Sequence, residues 1–309
     1  MREFETHFEN AMKSDKMLLN RITHYIIKQK GKQMRPMFVF LSCKLCGPVE
    51  APAYTAASMI ELLHTATLVH DDVVDDAGKR RGFFSINALW KNKIAVLVGD
   101  YLLARGLLIS VESNQFELLR IMSRAVQEMS EGELLQQEKS RLLNITEEVY
   151  FEIIQQKTAS LIAACCESGA AAAGASVEQR HKLRAFGLKA GLAFQIKDDL
   201  FDYGFEDVGK PLGIDIQERK LTLPLIHALG KADSSLRKEM MQVVKKHNTD
   251  HKKVRELISK VERLGGMEYA YNKMLQLRDE ALAILQDFEQ NEANRALVQL
   301  VNYTVDRKK

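Results

Sequence analysis

The sequence predicts an all-α fold, one large helical bundle occupying residues 1–309 as a single domain, and three observations predict it. Proline is scarce, and of the five (Pro36, Pro48, Pro52, Pro211, Pro224) none falls between Pro52 and Pro211. A proline inside a helix costs ~3 kcal/mol, so that gap leaves room for long helices. Apolar residues recur at spacings of three and four, as in Met59, Leu62, Leu63, Ala66 and Val69, and again in Leu118, Met122, Ala125, Met129 and Leu134. No sustained apolar/polar alternation rich in β-branched residues occurs, so no strand is expected.

Breakers then divide the chain in order. A helix over 3–29 stops before Gly31, one over 35–47 stops at Gly47-Pro48, and one over 51–70 opens at Pro52. After Gly82 come helices over 85–112 and 114–142, parted at Ser113-Asn114. Helices over 146–172 and 177–203 are parted at Gly174. The 204–216 stretch interrupts, and helices follow over 221–230, 234–247, 251–263, 266–287 and 292–305, with a break at Gly265-Gly266. The Ala- and Gly-rich stretch 159–175 is interrupted by Glu167 and reads as a surface for close helix packing.

Composition excludes several classes. The 309 residues carry 44 basic and 41 acidic side chains, a net charge of +3, with 46% hydrophobic and 28% charged residues. These values exclude a disordered chain and argue against a nucleic-acid-coating protein. No apolar run reaches the ~20 residues of a transmembrane helix, and residues 1–7 lack the apolar core of a leader. A cytoplasmic protein is expected. Cys43 and Cys46 have CxxC spacing, but no second CxxC or HxxxH follows. They read as small packing residues, as do Cys165 and Cys166.

Chemistry concentrates where two helices end. His70-Asp71-Asp72-Val73-Val74-Asp75-Asp76 places four carboxylates in six positions. On a helix Asp71 and Asp75 are i, i+4 neighbours and Asp72 and Asp75 i, i+3, so like charges crowd one side. They also oppose the negative end of the helix dipole. A hard divalent cation with oxygen ligands would offset both terms. The pattern recurs as Asp198-Asp199-Leu200-Phe201-Asp202, again closing an apolar helix. Mg²⁺ keeps part of its water shell and binds through one or two carboxylates plus substrate phosphates. Two such clusters facing one another would therefore take a diphosphate. Basic residues accompany them: Lys32 and Arg35 at a loop-to-helix junction, Lys79, Arg80 and Arg81 after the first cluster, and Lys157, Lys197, Lys210 and Lys220 around the second.

With these motifs in order, the chain resembles the all-trans polyprenyl diphosphate synthases, the head-to-tail isoprenyl transferases. The resemblance runs from Gly31 to Leu225. It takes in GKxxRP (Gly31 to Pro36), the first Asp-rich motif with its trailing RRG (Asp71 to Gly82), GDxLLA (Gly99 to Ala104) and EGELLQ (Glu131 to Gln136). It continues through KTA (Lys157 to Ala159), FQIxDDxxD (Phe194 to Asp202) and the closing GKPxGxD…K-TLPL (Gly209 to Leu225). The resemblance implies an isoprenoid-synthase bundle with a central cavity. It implies about three Mg²⁺ on Asp71, Asp72, Asp75, Asp198 and Asp202, with Asp199 behind them. Arg80, Lys157, Lys197 and Lys220 would contact the allylic diphosphate, and Lys32, Arg35, His64 and Arg81 the isopentenyl diphosphate. Thr158 and Gln195 would turn oxygen dipoles towards the allylic carbon. It implies a homodimer, for which 85–112 is the candidate interface, and transient membrane contact for product release.

Two positions depart from the family pattern. Arg219 precedes Lys220 where the family usually has Gly, which puts the Lys220 assignment in doubt. Lys30 stands where a second Gly often occurs.

Product length is read from the helix before Asp71. Thr67 and Ala66 sit one turn below it, ~5.4 Å along the axis, where short-chain members of the family carry aromatics. With Leu63 and Met59 deeper, the small residues predict a long all-trans chain of roughly six to nine isoprene units, nearest octaprenyl, as used in quinone side chains. A geranylgeranyl or farnesyl product is the alternative. A terpene cyclase, a regulatory subunit of a heteromeric synthase and a metal-buffering helical protein are the other readings. The first usually carries a different second motif, the second tends to lose its aspartates, and the third leaves the Lys/Arg placement unexplained.

Overall fold

The computed structural model describes residues 1–29, 31–80, 82–204 and 212–307. The fold is all-α, and its chain divides into two compact units. Residues 1–126 and 164–184 form the first, and residues 127–163 and 185–309 the second.

The first unit opens with α1 (Arg2–Met12) and α2 (Met17–Lys28), where the sequence suggested one helix over 3–29. The polar run Lys13-Ser14-Asp15-Lys16 supplies no buried apolar anchor. Lys13 instead turns extended (φ −63°, ψ 142°), and the Lys16 amide donates to Ser14 Oγ at 3.2 Å. α3 (Met34–Cys46) and α4 (Ala51–Val74) follow. α4 runs on past residue 70, so Asp71 and Asp72 lie inside it. A hairpin of β1 (Lys79–Arg80) and β2 (Phe83–Phe84), Arg80 opposite Phe83, turns through Gly82 at φ +82°. Two-residue strands are too short for any alternation to announce them.

α5 (Ile86–Glu112) packs along α4 and is not one smooth rod, because Lys91 breaks the helical geometry with φ +74°. Gly99 is the close-approach point: a Cβ there would stand 2.2 Å from His70 Nε2. Among the described residues α5 is the one helix long and apolar enough, by length and composition, to cross a membrane. That corrects the expectation that no such run exists. The small-residue stretch behaves as a packing surface. Within α8 (Ser160–Ala172), a Cβ on Gly169 would meet Val39 O at 2.2 Å, and Cys165 and Cys166 are fully buried. All four cysteines are free, and burial pushes the Cys43 and Cys46 thiols up to about 11.

The second unit takes the C-terminal part of α6 (Phe116–Leu142), α7 (Glu147–Ile154), and the C-terminal half of α9 (Val177–Asp202). After these come α10 (Ile214–Gln217), α11 (Leu223–Lys231), α12 (Ser234–Lys246), α13 (His251–Arg263), α14 (Gly266–Leu285) and α15 (Glu292–Asp306). Side chains cap several N-termini as expected for Thr, Asp and Asn. Thr146 accepts from the Val149 amide, Asp233 from Leu236, Asp250 from Lys252 and Lys253, and Asn291 from Asn294. α11 and α14 touch where Gly266 meets Pro224, and a Cβ there would lie 2.3 Å from the Pro224 carbonyl oxygen. The helix expected over 146–172 is interrupted by a π-helical turn at Gln155–Ala159, and this turn carries Lys157 and Thr158. Single π turns of this kind concentrate at functional sites.

Candidate active site

Each Asp-rich motif is built from its own helix end. At the C-terminus of α4, Asp71 is half-buried, Asp72 buried and Asp75 exposed. The Asp75 amide donates to Asp71 O at 2.8 Å, so the helical spacing of the carboxylates persists to the end of the motif. Asp72 is held on both sides. Its Oδ1 accepts from Arg80 Nε and Nη2, each at 2.7 Å, and its main-chain oxygen accepts from Asn87 Nδ2 at 3.0 Å. His70 points elsewhere, with Nε2 3.2 Å from Val96 O and 3.4 Å from Asp100 Oδ1 on α5.

One cleft of this unit gathers His64, Asp72 and Arg80 with Gly31 and Gln33 of the GKxxRP element. Gln33 reaches it with φ +52° just before α3. Lys32 is exposed on the same junction and Arg35 half-buried in the first turn of α3. Arg81, Lys210 and Lys30 lie outside the described residues. Met59, Leu63 and Ala66 are buried on α4, while Thr67 is half-buried with its hydroxyl on His64 O at 2.9 Å.

The second motif is more deeply set. Asp199 is buried, taking Tyr150 Oη at 2.7 Å and Gln195 Nε2 at 2.9 Å. Burial, and then the neighbouring Asp215 carboxylate, push its pKa well up. Asp202 closes the turn into α10: its two carboxylate oxygens accept the amides of Ile214 (2.8 Å) and Asp215 (3.0 Å). Burial raises its pKa, against the pull of those amides. Asp198 receives the guanidinium of Arg307, just past α15, which also lies 4.2 Å over the Phe194 ring. Lys197 is buried with Nζ 5.0 Å above the Phe201 ring.

Beside this motif a second cleft brings together Lys157, Thr158, Gln195, Asp199, Asp215 and Lys220. Two close approaches at glycine make it possible. A Cβ on Gly132 of EGELLQ would stand 2.8 Å from the Lys157 amide nitrogen, and one on Gly191 of α9 would stand 2.6 Å from Ala159 Cα. α6 and α9 thus close on the π turn, and Thr158 Oγ1 donates to Gln195 Oε1 at 2.9 Å. Lys157 Nζ pairs with Glu133 Oε2 at 2.5 Å and reaches Gln136 Oε1 at 3.4 Å. Burial would raise the Glu133 pKa, but Lys157 outweighs it and the group ends below its ordinary value. Burial and Asp202 push Asp215 up to about 7.

Arg219 has φ +59° and is exposed. This left-handed backbone is the conformation for which glycine is suited, and Lys220 still lines the cleft.

Asp215, Tyr150 and Arg307 were missed from the sequence. Asp215 stood within a quoted motif, whereas Tyr150 and Arg307 lie outside every motif.

The donor chemistry fits a hard divalent cation: carboxylate oxygens one helical turn apart, with lysine and arginine side chains nearby. Yet among the described residues no three His, Cys, Asp or Glu side chains converge at ligating distance. Arg80 on Asp72 and Arg307 on Asp198 occupy carboxylates that a cation would take.

The family model for polyprenyl synthetase matches residues 16–261. A nonaprenyl-diphosphate synthase of Rhodobacter capsulatus, specific for geranyl diphosphate, is 36% identical, over 94% of this chain and 89% of its own. The octaprenyl diphosphate synthase of Escherichia coli K12 is 34% identical, over 96% of this chain and 92% of its own. A crystal structure of a Caulobacter crescentus CB15 polyprenyl synthase, complexed with calcium and isoprenyl diphosphate, superimposes with a TM-score of 0.91. It is 35% identical and covers all of this chain and 95% of its own. The chain belongs to the polyprenyl synthetase family and is a prenyltransferase of isoprenoid diphosphates, and the family works with a divalent metal.

Proposed function

We propose that the protein condenses isopentenyl diphosphate with an allylic diphosphate, with Mg²⁺, to build a long-chain all-trans polyprenyl diphosphate. The observation that carries this is the convergence of Lys157, Thr158, Gln195 and Lys220 in one cleft beside the second Asp-rich motif. Asp71, Asp72, Asp75, Asp198 and Asp202 would hold Mg²⁺, which when bound neutralises negative charge on the departing pyrophosphate.

Arg80, Lys157, Lys197 and Lys220 bind the allylic diphosphate and stabilise the charge that collects on it as the carbon–oxygen bond breaks. Thr158 and Gln195 set oxygen atoms against the electron-poor allylic carbon. Lys32, Arg35, His64 and Arg81 bind the isopentenyl diphosphate so that its double bond attacks that carbon. The pyrophosphate released then takes the proton from the adduct, so no side-chain base is required. The cleft that gathers His64 with the GKxxRP junction supports the isopentenyl assignment.

The whole chain serves as one synthase domain, working in the cytoplasm, where four free cysteines are at home. It works as a homodimer through α5, whose Leu97, Leu107, Leu108 and Val111 stay exposed. Met59, Leu63, Ala66 and Thr67 line the path of the growing chain. The long-chain names of the R. capsulatus and E. coli relatives support a product of roughly six to nine isoprene units.

The test is pyrophosphate release with both substrates present. Turnover is expected to require isopentenyl diphosphate and to stop on chelation of the metal. Release from the allylic substrate alone, yielding cyclised hydrocarbon, would favour a terpene cyclase.

A further inference from the structure

The cleft beside the second motif contains a hydrogen-bond chain with a fixed direction. Tyr150 Oη donates to Asp199 Oδ2 (2.7 Å), Gln195 Nε2 donates to Asp199 Oδ1 (2.9 Å), and Thr158 Oγ1 donates to Gln195 Oε1 (2.9 Å). The direction follows from what each group can offer. The Asp199 oxygens take the hydrogens of the phenol and the amide, which sets the NH₂ end of Gln195 on the Asp199 side. With its NH₂ on the Asp199 side, Gln195 turns its oxygen towards Thr158. The Thr158 hydroxyl, having donated there, keeps its lone pairs for whatever enters the cleft.

Tyr150 is where this chain is anchored. It is buried on α7, one turn before the π turn that carries Thr158, and its ring packs against Phe151. Without its hydroxyl one oxygen of a buried carboxylate loses its donor, a costly state in a low-dielectric site. Held from one side alone, the Asp199 carboxyl can rotate and draw the Gln195 amide with it, and the Thr158 hydroxyl then loses its fixed acceptor and can turn its proton towards the cleft.

We propose that Tyr150 is a positioning residue for the prenyl transfer: by holding Asp199 it fixes the Gln195 amide and keeps the Thr158 lone pairs turned towards the allylic carbon. This rests on the assignment of Thr158 and Gln195 to that carbon made under the proposed function.

The experiment is a double-mutant cycle read by single-turnover rates, which are insensitive to slow product release. Tyr150→Phe is expected to slow single turnover about 10–100-fold, as lost support of an oriented group does. KM for both diphosphates should stay within about twofold, because the phosphate-binding cations are untouched. In a Thr158→Val background the same substitution should cost less than about twofold, since the group it positions is gone.

A Tyr150→Phe enzyme turning over at the wild-type rate overturns the proposal, and so does a cost carried in full into the Thr158→Val background. A Thr158→Val enzyme that keeps the wild-type rate is a different result: it overturns the assignment of Thr158 beneath the proposal. Should Tyr150→Phe fail to fold, Asp199→Ala removes the same anchor while relieving repulsion with Asp215. The same loss, vanishing with Thr158→Val, supports the relay, and an undiminished rate overturns it.

Discussion

The two Asp-rich motifs share a sequence pattern and differ in almost every physical respect. At the end of α4 the carboxylates are graded from buried Asp72 to exposed Asp75, and Asp72 takes Arg80 on its carboxylate and Asn87 on its main-chain oxygen. At the end of α9, Asp199 anchors a buried hydrogen-bond chain and Asp202 caps the turn into α10. The first motif is a cluster of carboxylates on a helix end; the second is also part of the architecture. A shared motif thus does not mean shared costs of mutation.

The largest effects should separate these roles. Asp71→Asn is expected to cut kcat by about 10³-fold or more. It should leave Tm unchanged or slightly raised, because it removes like-charge repulsion and an unfavourable charge at a helix C-terminus. Asp202→Ala should cut kcat as deeply and also cost about 1–2 kcal/mol of stability, since two amides lose their acceptor. Paired kinetics and thermal melts check both. Equal Tm losses in the two variants would erase the distinction.

A smaller effect sharpens the second region. Arg307 occupies Asp198, so Arg307→Ala should lower the half-saturating Mg²⁺ concentration by about two- to fivefold, the worth of a partly exposed ion pair. A metal titration of activity checks it, and an unchanged midpoint would mean the pair opens without cost. The smallest concerns the backbone after the motif. Arg219→Gly should raise Tm by about 1–3 °C by relieving a left-handed non-glycine residue, with kcat little changed if Lys220 keeps its place.

How much of this was legible beforehand follows the range of the interactions. Helical periodicity and proline spacing are local, so the long helices and both Asp-rich ends could be read directly. The breaks at Lys13–Lys16 and at Lys91 were not visible, because no Gly or Pro marks either. The π turn at Gln155–Ala159 depends on Gly132 and Gly191 admitting neighbouring helices, which is a tertiary fact. Motifs located Lys157, Thr158, Gln195 and Asp215 along the chain, but not the hydrogen bonds joining them. Tyr150 and Arg307 carried no local signal, since their partners lie 49 and 109 positions away.

The most direct measurement is the mass of the product made from farnesyl and isopentenyl diphosphates with Mg²⁺. A ladder ending in an all-trans prenyl diphosphate of roughly six to nine isoprene units is the result expected of the proposed condensation. Geranylgeranyl diphosphate as the principal product would contradict the assignment of Met59, Leu63, Ala66 and Thr67, and no elongation at all would contradict the proposed function itself.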